Sequence, residues 1–106
     1  MNWATHAIAA LAAGQTCQVT PHGNSMRPLV ESGATATLTP YLPNQEPAEG
    51  DIVLVKVRGV VYLHLIKAIR GGAEARQYQI GNNRGGINGW VNRRAVFGKA
   101  IQVDNR

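Results

Sequence analysis

The chain has 106 residues, 44% of them hydrophobic and 16% charged, which fits one compact domain with a buried core and excludes a disordered tail. Its single cysteine, Cys17, excludes an intrachain disulfide, a CxxC redox pair and a cysteine-built zinc cluster, and suits a reducing cytoplasm. The net charge of +5 is split, with one basic against four acidic side chains up to Val55 (−3) and ten against two from Lys56 onward (+8); the basic half fits a nucleic-acid partner, although no basic-aromatic motif singles one out.

Trp3 to Ala13 is alanine-rich, with Trp3, Ala7, Ala10 and Leu11 at helical spacing. Asn2 or Thr5 is the expected N-cap, and Gly14 stands where such a helix stops. The apolar run Ala7 to Ala13 is seven residues long, against about 20 for a spanning helix. Only His6 precedes it as a basic side chain, so neither a membrane span nor a secretory leader is expected. Thr16 to Thr20 reads as a short strand, Pro21 to Asn24 as a turn, and Ser25 to Val30 as one helical turn. Ala34 to Thr39 alternates small and β-branched residues, which predicts a strand. Pro40 to Gly50 holds three prolines and a glycine, which predicts an extended loop.

Asp51 to Val57 and Val60 to Ile69 are β-rich runs separated by Arg58-Gly59, the pattern of a hairpin. Arg76 to Ile80 is a further short strand. Gly81 to Gly89 reads as a loop, and Val96 to Val103 as the last strand. The fold class expected is mostly β: a small antiparallel barrel or folded sheet with one N-terminal helix. Residues 1–15 form the helical segment and 16–106 the β domain.

Ser25 follows Gly23-Asn24 at a turn, and His64 lies about 40 residues on, in a strand. A serine opening a helical turn has a free N–H suited to an oxyanion, although serine is also a favoured helix cap. A histidine supplies a base near neutral pH, with an unperturbed pKa of about 6.5. Lys67 competes for that role, but a lysine starts near about 10.4 and needs its pKa lowered by burial. A regular strand puts Tyr62, His64 and Ile66 on one face and Leu63, Leu65 and Lys67 on the other. Gly23, Asn24 and Met26 are candidates for substrate contact, and Val55, Val57 and Leu63 for the core. His6 and His22 have no carboxylate or cysteine partner at ligand spacing, so neither a metal nor a cofactor is expected. Arg93-Arg94 reads as a solvated turn or an anion contact.

Gly23-Asn24-Ser25-Met26-Arg27-Pro28 resembles the Ser-Met box of the signal peptidase and LexA-type serine peptidases. Glu49-Gly50-Asp51-Ile52-Val53 resembles their Gly-Asp-hydrophobic strand, and Tyr62-Leu63-His64-Leu65-Ile66 their base-bearing strand. Gly81-Asn82-Asn83, with Phe97-Gly98-Lys99-Ala100, resembles their late Gly-Asp-Asn loop and final Gly-Lys strand. The boxes run in order over most of the chain. The resemblance implies an all-β endopeptidase core with Ser25 as nucleophile and His64 as general base, on the branch that uses histidine instead of lysine.

That branch carries aspartates in the Gly-Asp-Asn loop and a few residues beyond. Here Asn82 and Asn88 stand at those positions, so Asn82, Asn88 and Lys67 are the candidates for support. A neutral amide behind the imidazole implies a slow peptidase, a self-processing one, or a retained fold that binds a peptide or protein without cutting it. Ala12-Ala13-Gly14 is a small-residue sequence of the kind this family cleaves, and Asn88-Gly89 is a dipeptide prone to deamidation. The membrane helix and the DNA-binding domain of family members have no counterpart in the sequence. The free-standing domain that this implies suits a phage or mobile element.

Overall fold

The computed structural model describes residues 3–105. One helix, α1 (Thr5–Ala12), precedes seven strands: β1 (Cys17–Val19), β2 (Thr35–Thr39), β3 (Ile52–Val57), β4 (Val60–Arg70), β5 (Gln77–Gly81), β6 (Ile87–Asn92) and β7 (Val96–Asp104). A 3-10 turn over Arg93–Ala95 joins β6 to β7. The strands form one antiparallel sheet in the order β1-β2-β7-β3-β4-β5-β6. Among the described residues the protein is therefore mostly β with a single short helix, as its patterning predicts. Among the described residues, no helix is long and apolar enough to cross a membrane.

β3 and β4 form the hairpin at the centre of the sheet, with Val57 opposite Val60. The two turn residues, Arg58 and Gly59, both have positive φ (50° and 83°). That is the turn whose twist matches antiparallel strands. Alternation along the hairpin feeds two cores. Leu54, Leu63 and Leu65 face α1 with Ala7, Leu11, Ala36 and Leu38. Val53, Val55, Val57 and Ile66 face the other way and pack with Tyr78, Ile80 and Val96.

Register breaks curve the sheet, at Leu54/Val55 on β3, Ile66/Ala68 on β4 and Ile80/Gly81 on β5. Extra residues at such breaks bend and twist the strand that carries them. The far end of the sheet curls back, so that a Cβ built on Gly89 of β6 would lie 3.6 Å from Val57 Cγ1 of β3. The second core is enclosed by that curl.

Three local expectations are corrected. Helix α1 starts between the two predicted points, with Ala4 at its N-cap position and no side-chain cap. Thr5 is the first helical residue and caps nothing, and Asn2 lies outside the described residues. Its C-terminus does end as predicted: the Gly14 N–H donates to Leu11 O (3.0 Å) and the Gln15 N–H to Ala10 O (2.9 Å), a Schellman pair. The second correction is β6, whose first three residues fall in a stretch read as loop. The pairs that Ile87 and Gly89 to Asn92 make with β5 carry the strand past Asn88, despite the weak intrinsic strand preference of Asn88 and Gly89. The third is Lys67, which stands without a β5 partner between the pairs Ile66–Ile80 and Ala68–Gln79, so strict alternation stops there.

Candidate active site

Ser25 sits in the long turn between β1 and β2. The turn closes on itself through Gly33 N–H to Pro21 O (2.8 Å) and Val30 N–H to Met26 O (3.0 Å). It also closes through the Gly23 N–H to Ser32 Oγ (3.0 Å). Met26 and Val30, 5% and 3% exposed, anchor it in the first core. Two asparagines clamp it from outside. The Asn83 N–H donates to Ser25 O (2.9 Å) and Asn83 Nδ2 to Arg27 O (2.9 Å). From the other side, Asn105 Nδ2 donates to Leu29 O (3.1 Å) and Asn105 Oδ1 accepts the Glu31 N–H (2.8 Å).

His64 lies on β4 opposite Val53. It is 7% exposed, and its ring stacks on Tyr62 with centroids 4.6 Å apart. Nε2 is 3.2 Å from Ser25 Oγ, and Nδ1 is 2.7 Å from Asn88 Oδ1. An amide oxygen can only accept, so it holds the proton on Nδ1. The lone pair on Nε2 is then free for the serine hydroxyl, which is the tautomer a general base requires. Burial pushes the imidazole pKa below its ordinary value, and the Asn88 hydrogen bond opposes that in part. Burial therefore favours the neutral ring.

Ser25 reaches His64 around an open strand edge. β5 pairs with β4 only from Leu65 to Arg70. Residues 60–64 of β4 are paired on their β3 side alone. Ile66 bonds toward the β3 side, since its N–H donates to Asp51 O and its carbonyl accepts the Gly50 N–H. Antiparallel alternation then turns the backbone groups of Val61 and Leu63 outward, to the unpaired edge. A groove of about 500 Å³ runs there, with Ser25 and His64 in its lining. Met26, Val30, Val61 and Leu63 give it apolar walls, and Trp3 also lines it.

The remaining sequence candidates divide. Gly23 and Met26 line the groove, whereas Asn24 is exposed outside it. Asn88 touches the imidazole, and Asn82 does not. The Asn82 Oδ1 instead accepts the N–H groups of Arg84 (2.9 Å) and Gly86 (2.8 Å), folding the β5–β6 loop as an Asx turn. Lys67 Nζ donates to Asn82 O (3.2 Å), so its ammonium braces that loop. Asp51 accepts from Tyr41 OH (2.6 Å) and the Ala48 N–H (3.0 Å), which organises the loop before β3. Arg93 donates to Gln45 O (3.2 Å) and lies over the Tyr41 ring. His6 bonds Gln18 O (2.9 Å). Ala12-Ala13-Gly14 is wound into the helix C-terminus, so cleavage there would first require unwinding α1.

The clamp residues Asn83 and Asn105 are what reading the sequence for roles misses. Asn83 carries one signal, its place in the Gly81-Asn82-Asn83 box. Asn105 carries none, because it contacts the turn from 74 residues away along the chain. No protein-family model, curated protein or solved structure matches the chain.

Proposed function

We propose that the chain is a small serine endopeptidase of the signal peptidase and LexA type, with Ser25 as nucleophile and His64 as general base. One observation carries the reading: a serine hydroxyl 3.2 Å from a buried imidazole whose far nitrogen is oriented at 2.7 Å. An extended peptide pairs with the outward backbone groups of Val61 and Leu63, and so presents its carbonyl to Ser25. His64 Nε2 takes the hydroxyl proton as Ser25 Oγ attacks. The Ser25 N–H, which donates to no protein group among the described residues, meets the developing oxyanion. The imidazolium then gives its proton to the leaving amine, and water releases the acyl group. A small residue before the scissile bond is implied by the family resemblance. Asn88 offers the imidazolium a dipole in place of a charge, so turnover is slow.

A fluorophosphonate probe tests this. Labelling maps to Ser25, disappears in Ser25→Ala and slows by about 10²–10⁴ in His64→Ala. Absence of labelling in the folded wild type, or labelling indifferent to Ser25→Ala, overturns the reading. The neutral Asn88 favours one alternative, a module that holds a peptide on the same edge without cutting it. In that case peptide binding survives Ser25→Ala unchanged and the probe labels nothing.

A further inference from the structure

We propose that Asn88-Gly89 is a self-modification site, and that its deamidation installs a carboxylate behind His64. The consequence rests on the Ser25–His64 reading above; the modification itself does not. Asn88-Gly89 is the only Asn-Gly step in the chain. Ring closure needs the Gly89 nitrogen to reach Asn88 Cγ, and a following glycine opposes it with no side chain. Gly89 has φ +143°, a backbone region open to glycine and closed to other residues.

Three features of the fold favour the reaction at this step. Ile80 pairs with Gly89 and Gly81 with Ile87, so Asn88 is the extra residue of a bulge, without a partner on β5. Bulges re-aim side chains and interrupt the ladder that would hold the backbone rigid. Asn88 also accepts the His64 Nδ1–H at 2.7 Å, which draws electron density from Cγ and makes it a better electrophile. Finally, Asn88 is half-buried and lines the groove, within reach of water.

The chemistry balances without an oxidant or reductant. The Gly89 nitrogen bonds to Asn88 Cγ and gives its proton to water. The Cγ–Nδ2 bond breaks, and that nitrogen takes up a proton and leaves as ammonia. Water then opens the succinimide. Opening at Cγ restores the peptide bond and leaves an aspartate at position 88. Opening at the main-chain carbonyl gives an isoaspartyl link, which moves the carboxylate off Nδ1. In a serine-protease triad, exchanging this carboxylate for an amide costs about 10⁴ in turnover, partly through the wrong tautomer. Asn88 already presents an oxygen to Nδ1, so the gain left to the charge is smaller, about 10- to 10³-fold.

The test incubates the full-length folded protein in mildly alkaline buffer made with heavy-oxygen water. Peptide mapping follows every asparagine, and aliquots are titrated with the fluorophosphonate probe. Position 88 takes up heavy oxygen well ahead of Asn82, Asn83 and Asn92, and Ser25 labelling accelerates in step. Asn88→Asp starts at the fast rate. Asn88→Gln, whose longer side chain closes its ring far more slowly, holds a constant rate throughout. The proposal is overturned if position 88 keeps its amide in the folded protein, converts only in denaturant, or yields only the isoaspartyl product. It is also overturned if conversion leaves labelling unchanged while Asn88→Asp labels fast. Failure of both wild type and Asn88→Asp to label at Ser25 removes the peptidase reading instead, and the oxygen uptake judges the modification separately.

Discussion

The serine turn and strand β6 approach the same imidazole from two sides and are held there by different forces. The turn has no regular secondary structure, yet Met26 and Val30 bury almost completely beneath it, and Asn83 and Asn105 clamp its carbonyls. β6 is a strand with a bulge at Asn88, none of its six residues is fully buried, and Ile87 is exposed. It is held by its ladder to β5 and by the Trp90 ring, which carries the Arg70 guanidinium 4.1 Å from its centroid. Side-chain packing fixes the nucleophile, whereas the orienting amide stands on an unpaired bulge residue held only by the backbone pairs of Ile87 and Gly89 on either side of it. Edge pairing with few buried contacts opens locally at lower free energy than a packed anchor.

Cutting each support measures that difference directly. Met26→Ala removes a buried anchor and is expected to lower stability by about 2–5 kcal/mol, read as a drop in the urea midpoint. Val91→Ala on β6 removes a half-buried side chain and is expected to cost about 1 kcal/mol. Equal costs would break the contrast between packed turn and paired strand.

The same contrast decides what could be read in advance. The serine turn was legible because Gly23 and Ser25 have local meanings, a turn and a hydroxyl, whereas Met26, expected at the substrate, is also a buried anchor of the turn. The hairpin was legible from Ile52 to Ile69 because β-branched runs flank Arg58-Gly59. β6 was not, because Ile87-Asn88-Gly89-Trp90-Val91-Asn92 does not alternate cleanly and holds three residues that disfavour strands, Asn88, Gly89 and Asn92. Its strand character comes from β5, a partner that a local pattern cannot reveal. The bulge at Asn88 likewise exists only through that pairing, so the contact of Asn88 with the imidazole was expected from the resemblance alone.

Asn83 tests whether the turn needs its clamp once its anchors are intact. Asn83→Ala keeps the main-chain bond to Ser25 O and loses the one to Arg27 O. The expected cost is about 0.5–1.5 kcal/mol in stability. A fall in the probe-labelling rate beyond what the unfolded fraction explains would mean that the clamp positions Ser25. A labelling rate that tracks the folded fraction alone would assign the positioning to Met26 and Val30.

The pH dependence sharpens the contrast at the imidazole. Burial lowers the His64 pKa in the folded protein, while the unfolded chain titrates near about 6.5. Just below that value the unfolded state binds more protons than the folded one. The neutral ring's contribution to stability is therefore complete above about pH 6.5 and is lost as pH falls through the folded value. His64→Gln is expected to flatten that part of the stability profile. The acid limb of probe labelling in wild type has its midpoint below about 6.5, and Asn88→Asp moves it upward, because a carboxylate stabilises the imidazolium. A wild-type midpoint above the ordinary histidine value would mean that a negative charge already lies behind the ring.

The smallest effect concerns the outer face of the turn. Arg27 Nε lies 2.8 Å from Glu31 Oε1, with both side chains substantially exposed. Solvent screens such a pair, and holding two long side chains together costs entropy, so its net worth is about 0–1 kcal/mol. Arg27→Ala leaves the Arg27 carbonyl, which is the atom Asn83 grips, in the backbone. It is expected to change stability by less than about 0.5 kcal/mol and to change labelling little, with any loss disappearing at high salt. A larger loss that survives high salt would mean the guanidinium stem packs into the turn. Part of the anchoring assigned to Met26 and Val30 would then belong to the solvent-facing side.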